Sequence, residues 1–277
     1  MLVLGARGTL GGQLTKLYPD AVAWDREDID VLDFATLRAK IEGLGFAPAA
    51  VINCVAFNDV DGAEDRPGQA FALNADFPGR LARYTAELGV PLVHYSTNYV
   101  FDGTKGEYAE DETPAPLSVY GASKHRGEQL VLENGGRCYI LRTAVIFGPK
   151  GASDLSKKSF VDIMLDLSAR RDSISVVCDE VNSVTYAPDL AAATRDLLAA
   201  APSPGIYHAT NSGAASWLDF AREIFRIAGR QVNTVPVAST HFPRKAARPA
   251  RAILLNTKLP PIRPWQAALG EFLGRPA

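Results

Sequence analysis

MLVLGARGTLG, residues 1–11, decides how the rest of the chain is read. An apolar run, Met1 to Leu4, passes straight into the turn Gly5-Ala-Arg-Gly8-Thr-Leu-Gly11, and the spacing predicts that a helix opens there. Glycines permit the tight turn and let backbone N–H groups approach a pyrophosphate at the positive end of that helix. Asp25 lies at the end of the next apolar run, about 20 residues on, where a carboxylate takes ribose hydroxyls. Arg26 beside it suits a 2′-phosphate that the carboxylate would repel, so NADH and NADPH both stay open as cofactor. Asp30, in the following loop, is placed to reach the adenine.

Outward from this turn, short apolar runs alternate with longer helical patterns, the signature of βαβ units and a parallel sheet. Strands are expected at residues 1–4, 21–24, 50–55, 92–96 and 138–143, and helices at 11–17, 36–42, 68–88 and 120–133. Gly89 and Pro91 supply a stop between helix and strand. Beyond Gly148 the rhythm loosens: residues 150–159 are polar and read as a flexible insertion, and 160–167 are amphipathic. Further helices are expected at 187–198, 216–227 and from Pro264 on, with a strand at 205–209 and a Pro- and Arg-rich loop at 243–251. The expected fold class is α/β: a doubly wound parallel sheet over residues 1–148, with 185–201 packing back onto it. Residues 149–277 are expected to form mainly a smaller α/β substrate lobe.

Tyr120-Gly-Ala-Ser-Lys124 puts a phenol and an ammonium four residues apart, on one face of a helix. A phenol titrates near pH 10, and bringing it close to neutrality needs about 4 kcal/mol. One ammonium about 4 Å away supplies about 1 kcal/mol in bulk water and about 4 kcal/mol at an effective dielectric near 20. The pair is therefore expected in a sheltered cleft, where Lys124 acidifies Tyr120 and a proton moves at a carbonyl carbon while a nicotinamide exchanges hydride with it. Ser96 and Thr97 close the fourth expected strand, where a doubly wound sheet presents residues to its ligand. Successive strand residues face opposite ways, and Thr97 is read as the carbonyl-orienting donor.

The chain of 277 residues is about half apolar and carries a net charge of −2, so it has material for a large core and no basic field for nucleic acid. Cys54, Cys138 and Cys178 are an odd, widely spaced set that suggests neither a disulfide framework nor a zinc site, which fits a cytoplasmic protein. His94, His125, His208 and His241 show no metal-ligand spacing, so no metal is expected and these histidines are read as surface or core residues. Trp24, Trp217 and Trp265 are read as packing residues. The first strand begins at Met1, which leaves no room for a leader, and no apolar stretch approaches bilayer length. Monomer and homodimer are both open.

The chain resembles the extended short-chain dehydrogenase/reductases, and most closely the dTDP-4-dehydrorhamnose reductase family. The resemblance runs nearly end to end. It is carried by Val51-Ile-Asn-Cys-Val-Ala56, Asn74-Ala-Asp76, His94-Tyr-Ser-Thr-Asn-Tyr-Val-Phe-Asp-Gly103, Pro114-Ala-Pro-Leu-Ser-Val-Tyr-Gly121 and Lys124. Thr185-Tyr-Ala-Pro-Asp-Leu190, Ala247-Arg-Pro-Ala-Arg251 and Leu255-Asn-Thr-Lys258 look like its C-terminal signatures. The resemblance implies a Rossmann-type fold and reduction of a 4-keto group on a deoxysugar nucleotide, with hydride from NADPH or NADH and Tyr120 as general acid beside Lys124 and Thr97. It implies that Gly5, Gly8, Thr9, Leu10 and Gly11 hold the pyrophosphate, and Asp25, Arg26, Asp30 and Val31 the adenosine side. Cys54, Val55, Ala56, Phe57 and Asn74 would line the nucleotide. Asn98, Tyr99 and Val145 would lie at the substrate, with Arg244, Arg248 and Arg251 toward its diphosphate. Two positions depart from the family: Asn98 stands where Asp is usual, and Val145 where an aromatic is usual.

Two rival functions share these motifs. A sugar-nucleotide dehydratase or epimerase on the same scaffold would place an acid pair after the strand-end Thr, whereas Asn98 and Tyr99 follow here. A non-catalytic regulatory subunit, similar to the methionine adenosyltransferase beta subunit, would share Tyr99-Val-Phe-Asp-Gly-Thr104, yet the complete Thr97, Tyr120 and Lys124 set speaks for catalysis.

Overall fold

The structure is a computed structural model that describes residues 1–153 and 156–274. Six strands form one parallel sheet: β1 (Leu2–Leu4), β2 (Val22–Trp24), β3 (Val51–Asn53), β4 (Leu92–Thr97), β5 (Cys138–Thr143) and β6 (Gly205–His208), in the spatial order β2-β1-β3-β4-β5-β6. Leu2 pairs with Val22 on one side and Val51 on the other, and Thr97 ends its strand opposite Thr143. The order reverses between β1 and β3, which opens a crevice beyond their carboxyl ends.

The helices α1 (Thr9–Leu17), α2 (Phe34–Glu42), α3 (Phe77–Glu87), α4 (Val119–Glu133), α5 (Phe160–Ser168), α6 (Ala187–Ala200), α7 (Trp217–Ala228) and α8 (Trp265–Phe272) follow in chain order, and the first four with α6 cover the two faces of the sheet. Because strand side chains alternate, Leu2, Leu4 and Val51 pack against α2, α3 and α4. Val3, Ile52 and Val93 pack against Leu10 and Leu14 of α1 and Leu190 and Leu197 of α6. Burial on both faces is why these strands read as unbroken apolar runs.

The helix expected at residues 68–88 is interrupted. Val60–Asp65 and Pro67–Phe71 form two short helices, Ala72–Asp76 makes a π turn, and only then does α3 begin. The π turn lies where the Asn74 carbonyl presses on α4: a Cβ on Gly127 would come within 2.0 Å of that oxygen. That tight approach ties this segment to the helix carrying Tyr120 and Lys124.

The second lobe has its own core, in which Phe147, Val161, Met164, Phe220, Ile224 and Trp265 meet. Capping boxes at Ser159 with Asp162 and at Ser216 with Asp219 start α5 and α7. Its strands were mostly absent from the sequence expectations because they are short and pair non-locally. Ser173–Val177 pairs with Asn233–Val237, and Arg251–Leu254 lies between Val181–Ser183 and Gly106–Tyr108. The loop expected through residue 251 thus ends in a central strand, whose partners, not its own propensity, define it. Among the described residues no helix is long and apolar enough to cross a membrane.

Candidate active site

The glycine turn is built for close approach. Gly5 has φ +76° and a Cβ there would sit 3.0 Å from the Cys54 carbonyl carbon, so β1 and β3 end almost in backbone contact. A Cβ on Gly11 would fall 2.1 Å from the Gly5 oxygen. Gly8 caps α1 with no side-chain hydrogen bond, which leaves the helix N-terminus to backbone N–H groups, the arrangement a diphosphate wants. Gly11→Ala is expected to lower stability by about 1–3 kcal/mol through overpacking against backbone, read as a lower midpoint in denaturant unfolding.

The other residues expected around the cofactor divide. Thr9 Oγ1 lies 3.4 Å from Ser156 Oγ, while Leu10 and Val31 are core residues whose side chains point inward. The Asp25 carboxylate accepts from the Arg7 and Arg26 N–H groups at 2.8 and 2.9 Å, bracing the glycine turn from the end of β2. Arg26 faces solvent and pairs with Glu27, and Asp30 accepts from the Leu32 N–H. Cys54, Val55, Ala56 and Phe57 continue β3 beside Gly5, where Asn74 holds Phe57 at both its N–H and its carbonyl, 2.9 and 3.0 Å, and also donates to Ser123. Asn74 is therefore a clamp on this loop, its amide already occupied. Of the polar segment 150–159, residues 154 and 155 lie outside the described residues. Residues 151–153 cross the glycine turn, with the Ser153 N–H donating to the Arg7 carbonyl at 2.9 Å.

Thr97 and Tyr120 meet at the carboxyl end of β4. Ser118 caps α4 and sets its first turn, so Tyr120 is presented beside the strand end, close enough for Thr97 to act on its phenol. Thr97 Oγ1 also accepts from the Tyr99 N–H at 3.2 Å, and the Tyr99 ring stands edge-on to Tyr120 at 5.9 Å. The expectation that Lys124 acidifies the phenol does not match this geometry. Burial first, offset by Thr97 and reinforced by Tyr99, pushes Tyr120 up to about 12. The Lys124 Nζ is instead bound at 2.6 Å to the Tyr95 carbonyl of β4 and stands 3.4 Å from His94 Nε2. Burial lowers Lys124 to about 8, against the raising influence of Glu128 and Cys54.

Sequence reasoning passed over the groups behind this pair. His94 is fully buried and Asn53 holds its other ring nitrogen at 3.2 Å. Glu128, one turn beyond Lys124, accepts two 2.8 Å hydrogen bonds from Arg142 of β5. The i, i+4 spacing from Lys124 to Glu128 was the one available signal; Arg142 and Asn53 come from separate strands and show none.

On the substrate side, Asn98 keeps its Oδ1 3.4 Å from Thr97 Oγ1 while its amide nitrogen is occupied elsewhere. Its Nδ2 donates to Asn182 Oδ1 and the Ala252 carbonyl at 2.8 and 3.1 Å, so this 2 % exposed amide ties β4 to the second lobe. Val145 has φ +40°, a left-handed conformation rare for a β-branched residue, at the corner leaving β5. Arg248 is hydrogen-bonded to Tyr99 and paired with Asp61 at 2.9 Å. Arg244 pairs with Glu180 and lines a cavity of about 510 Å³ with Phe160, Trp217, Phe242 and Arg171. Arg251 does not join them: it stands 3.5 Å from Glu107 and lines a separate hollow of about 340 Å³. Trp217, read as packing, lines the larger cavity and donates its indole N–H to Glu180 at 3.0 Å.

A glycine turn at the sheet's switch point, with a Thr–Tyr contact and a buried lysine at the next strand end, defines a Rossmann-type α/β protein with a second lobe over its strand ends. The family model described as RmlD substrate binding domain matches residues 1–276. A dTDP-4-dehydrorhamnose reductase of Streptomyces griseus is 38% identical over 98% of this chain and 91% of its own length. The solved structure of the Bacillus anthracis dTDP-4-dehydrorhamnose reductase in complex with NADP superposes with a TM-score of 0.91 at 33% identity, covering 98% of this chain and 97% of that one. The Clostridium acetobutylicum structure of the same name gives 0.91 at 32% identity, covering 99% and 98%. The chain belongs to the RmlD family of dTDP-4-dehydrorhamnose reductases.

Proposed function

We propose that this protein reduces the 4-keto group of a dTDP-deoxysugar with hydride from NADPH. The observation that carries the reading is the half-buried Tyr120 phenol, kept protonated at the strand end that carries Thr97, in a chain whose relatives are reductases of this type. Gly5, Gly8 and Gly11 would hold the dinucleotide diphosphate, with residues 1–148 and 185–201 forming its domain and 149–277 mainly the substrate lobe. NADPH, when bound, supplies the hydride.

Reduction needs an acid, because the carbonyl oxygen becomes an alkoxide, a far stronger base than a phenolate. A phenol pushed up to about 12 keeps its proton across the neutral range and donates it only to such an oxygen. Thr97 orients the carbonyl and the phenol together. The larger cavity offers flat rings for a base and guanidinium groups for a diphosphate, which supports a nucleotide-linked sugar as substrate.

Loss of reduced-nicotinamide absorbance across a panel of 4-keto-6-deoxy nucleotide sugars tests the reading directly. Oxidation with the dTDP sugars is expected. No turnover, together with a stably co-purifying partner, would overturn it in favour of a regulatory subunit. Lys124→Met is expected to weaken NADPH binding roughly 10- to 100-fold, the loss of one charge-assisted hydrogen bond, in a fluorescence titration.

A further inference from the structure

The hydrogen bonds behind Lys124 fix where protons sit. The Val55 N–H donates to Asn53 Oδ1 at 3.0 Å, which turns the Asn53 amide NH2 toward His94 Nδ1 at 3.2 Å. His94 Nδ1 is therefore the acceptor. Burial, the larger cause, holds this ring well below the ordinary imidazole range, so it is neutral and carries its one hydrogen on Nε2. That N–H faces Lys124 Nζ at 3.4 Å. An ammonium has three donors and no acceptor, and would meet it donor to donor. A neutral amine accepts it with its lone pair and still donates to the Tyr95 carbonyl at 2.6 Å.

We propose that the Val55–Asn53–His94 chain favours the neutral amine of Lys124 in the ligand-free protein at slightly alkaline pH, and that Lys124 becomes fully cationic there only when a bound dinucleotide draws it off His94. The amine then takes one proton from solvent while His94 keeps its own, so each site gains one positive charge. His94 is thus a positioning residue that acts through Lys124. Glu128 on the same helix and Cys54 at the end of β3 favour the charged form, and burial opposes it. Arg142 of β5 meets the Glu128 carboxylate, and His94 and the Tyr95 carbonyl complete the surroundings from β4.

Nitrogen NMR of the histidine-labelled full-length chain reads the tautomer without any turnover. The resonance lost in His94→Gln should show a bare Nδ1 and a protonated Nε2 at slightly alkaline pH; an Nδ1–H tautomer or an imidazolium overturns the proposal. Asn53→Asp keeps the acceptor for Val55 but puts an acceptor against Nδ1, so the tautomer should switch to Nδ1–H, and an unchanged ring would equally overturn it. Calorimetric titration of NADPH in two buffers of different ionisation enthalpy, at slightly alkaline pH, should show uptake of a sizeable fraction of one proton per site. Binding without uptake contradicts the proposal. Lys124 owes its role to the proposed reduction, but the tautomer does not: absence of NADPH binding would sink the cofactor reading and leave the ring nitrogens to decide this one.

Discussion

Tyr120→Phe is expected to cut turnover by about 10² to 10⁴, the usual worth of a positioned general acid, while NADPH affinity stays nearly intact. The substitution removes one oxygen from a ring that Tyr99 supports edge-on, so the pocket wall is kept and only the proton is lost. Hydride delivery without that proton would leave an alkoxide with only the Thr97 hydroxyl to stabilise it. The pH profile sharpens the test. With the phenol at about 12, its acid form persists throughout the neutral range, and no loss of activity on the alkaline side of neutrality should trace to Tyr120 itself. Full activity in Tyr120→Phe would remove this residue from the mechanism.

Glu128→Ala is expected to cost about 3–5 kcal/mol of folding stability, because it strands a buried guanidinium. Both side chains of the pair are 1% exposed, and Arg142 has few alternatives: one contact with the Glu110 carbonyl at 3.3 Å and the face of Phe101 at 5.0 Å. Replacing both partners together, Glu128→Met with Arg142→Leu, should recover much of the loss, since a matched apolar pair carries no desolvation penalty. The hydrogen bonds from Arg142 and His125 outweigh burial and hold the Glu128 carboxyl down to about 2. Its unfolded value lies near 4.3. The stabilisation is therefore complete above about pH 5 and drains away as pH falls toward about 2, where the folded carboxylate takes its proton. Acid unfolding in which wild type and Glu128→Ala keep the same stability gap down to the lowest pH would contradict the assignment.

The parts of the site visible in the sequence are those whose chemistry is local. The glycine turn follows its strand within a few residues, and Tyr120 and Lys124 share a helix face, so period and spacing expose them. Thr97 was readable because a strand end is where such a sheet meets its ligand. What escaped detection depends on side chains brought together from distant strands: Asn53 and His94, Arg142 and Glu128, Asn98 and Asn182. Composition cannot show that a histidine on an apolar strand faces a lysine thirty positions away. The same limit explains the second lobe, where strands of two to five residues gain definition only from their partners, and Asn98, whose amide partners Asn182 and Ala252 lie far along the chain.

The strand Gly106–Tyr108 belongs by position to the first half of the chain, yet it is the outermost member of a sheet whose other three strands come from residues 181–183, 214–216 and 251–254. Cutting the polypeptide after residue 148 would strip that strand of its only neighbour, and would also remove the β6 edge and the α6 cover of the first half. The halves are thus stitched through one another. Melting one exposes the other, and neither can be inherited, swapped or lost as a separate module.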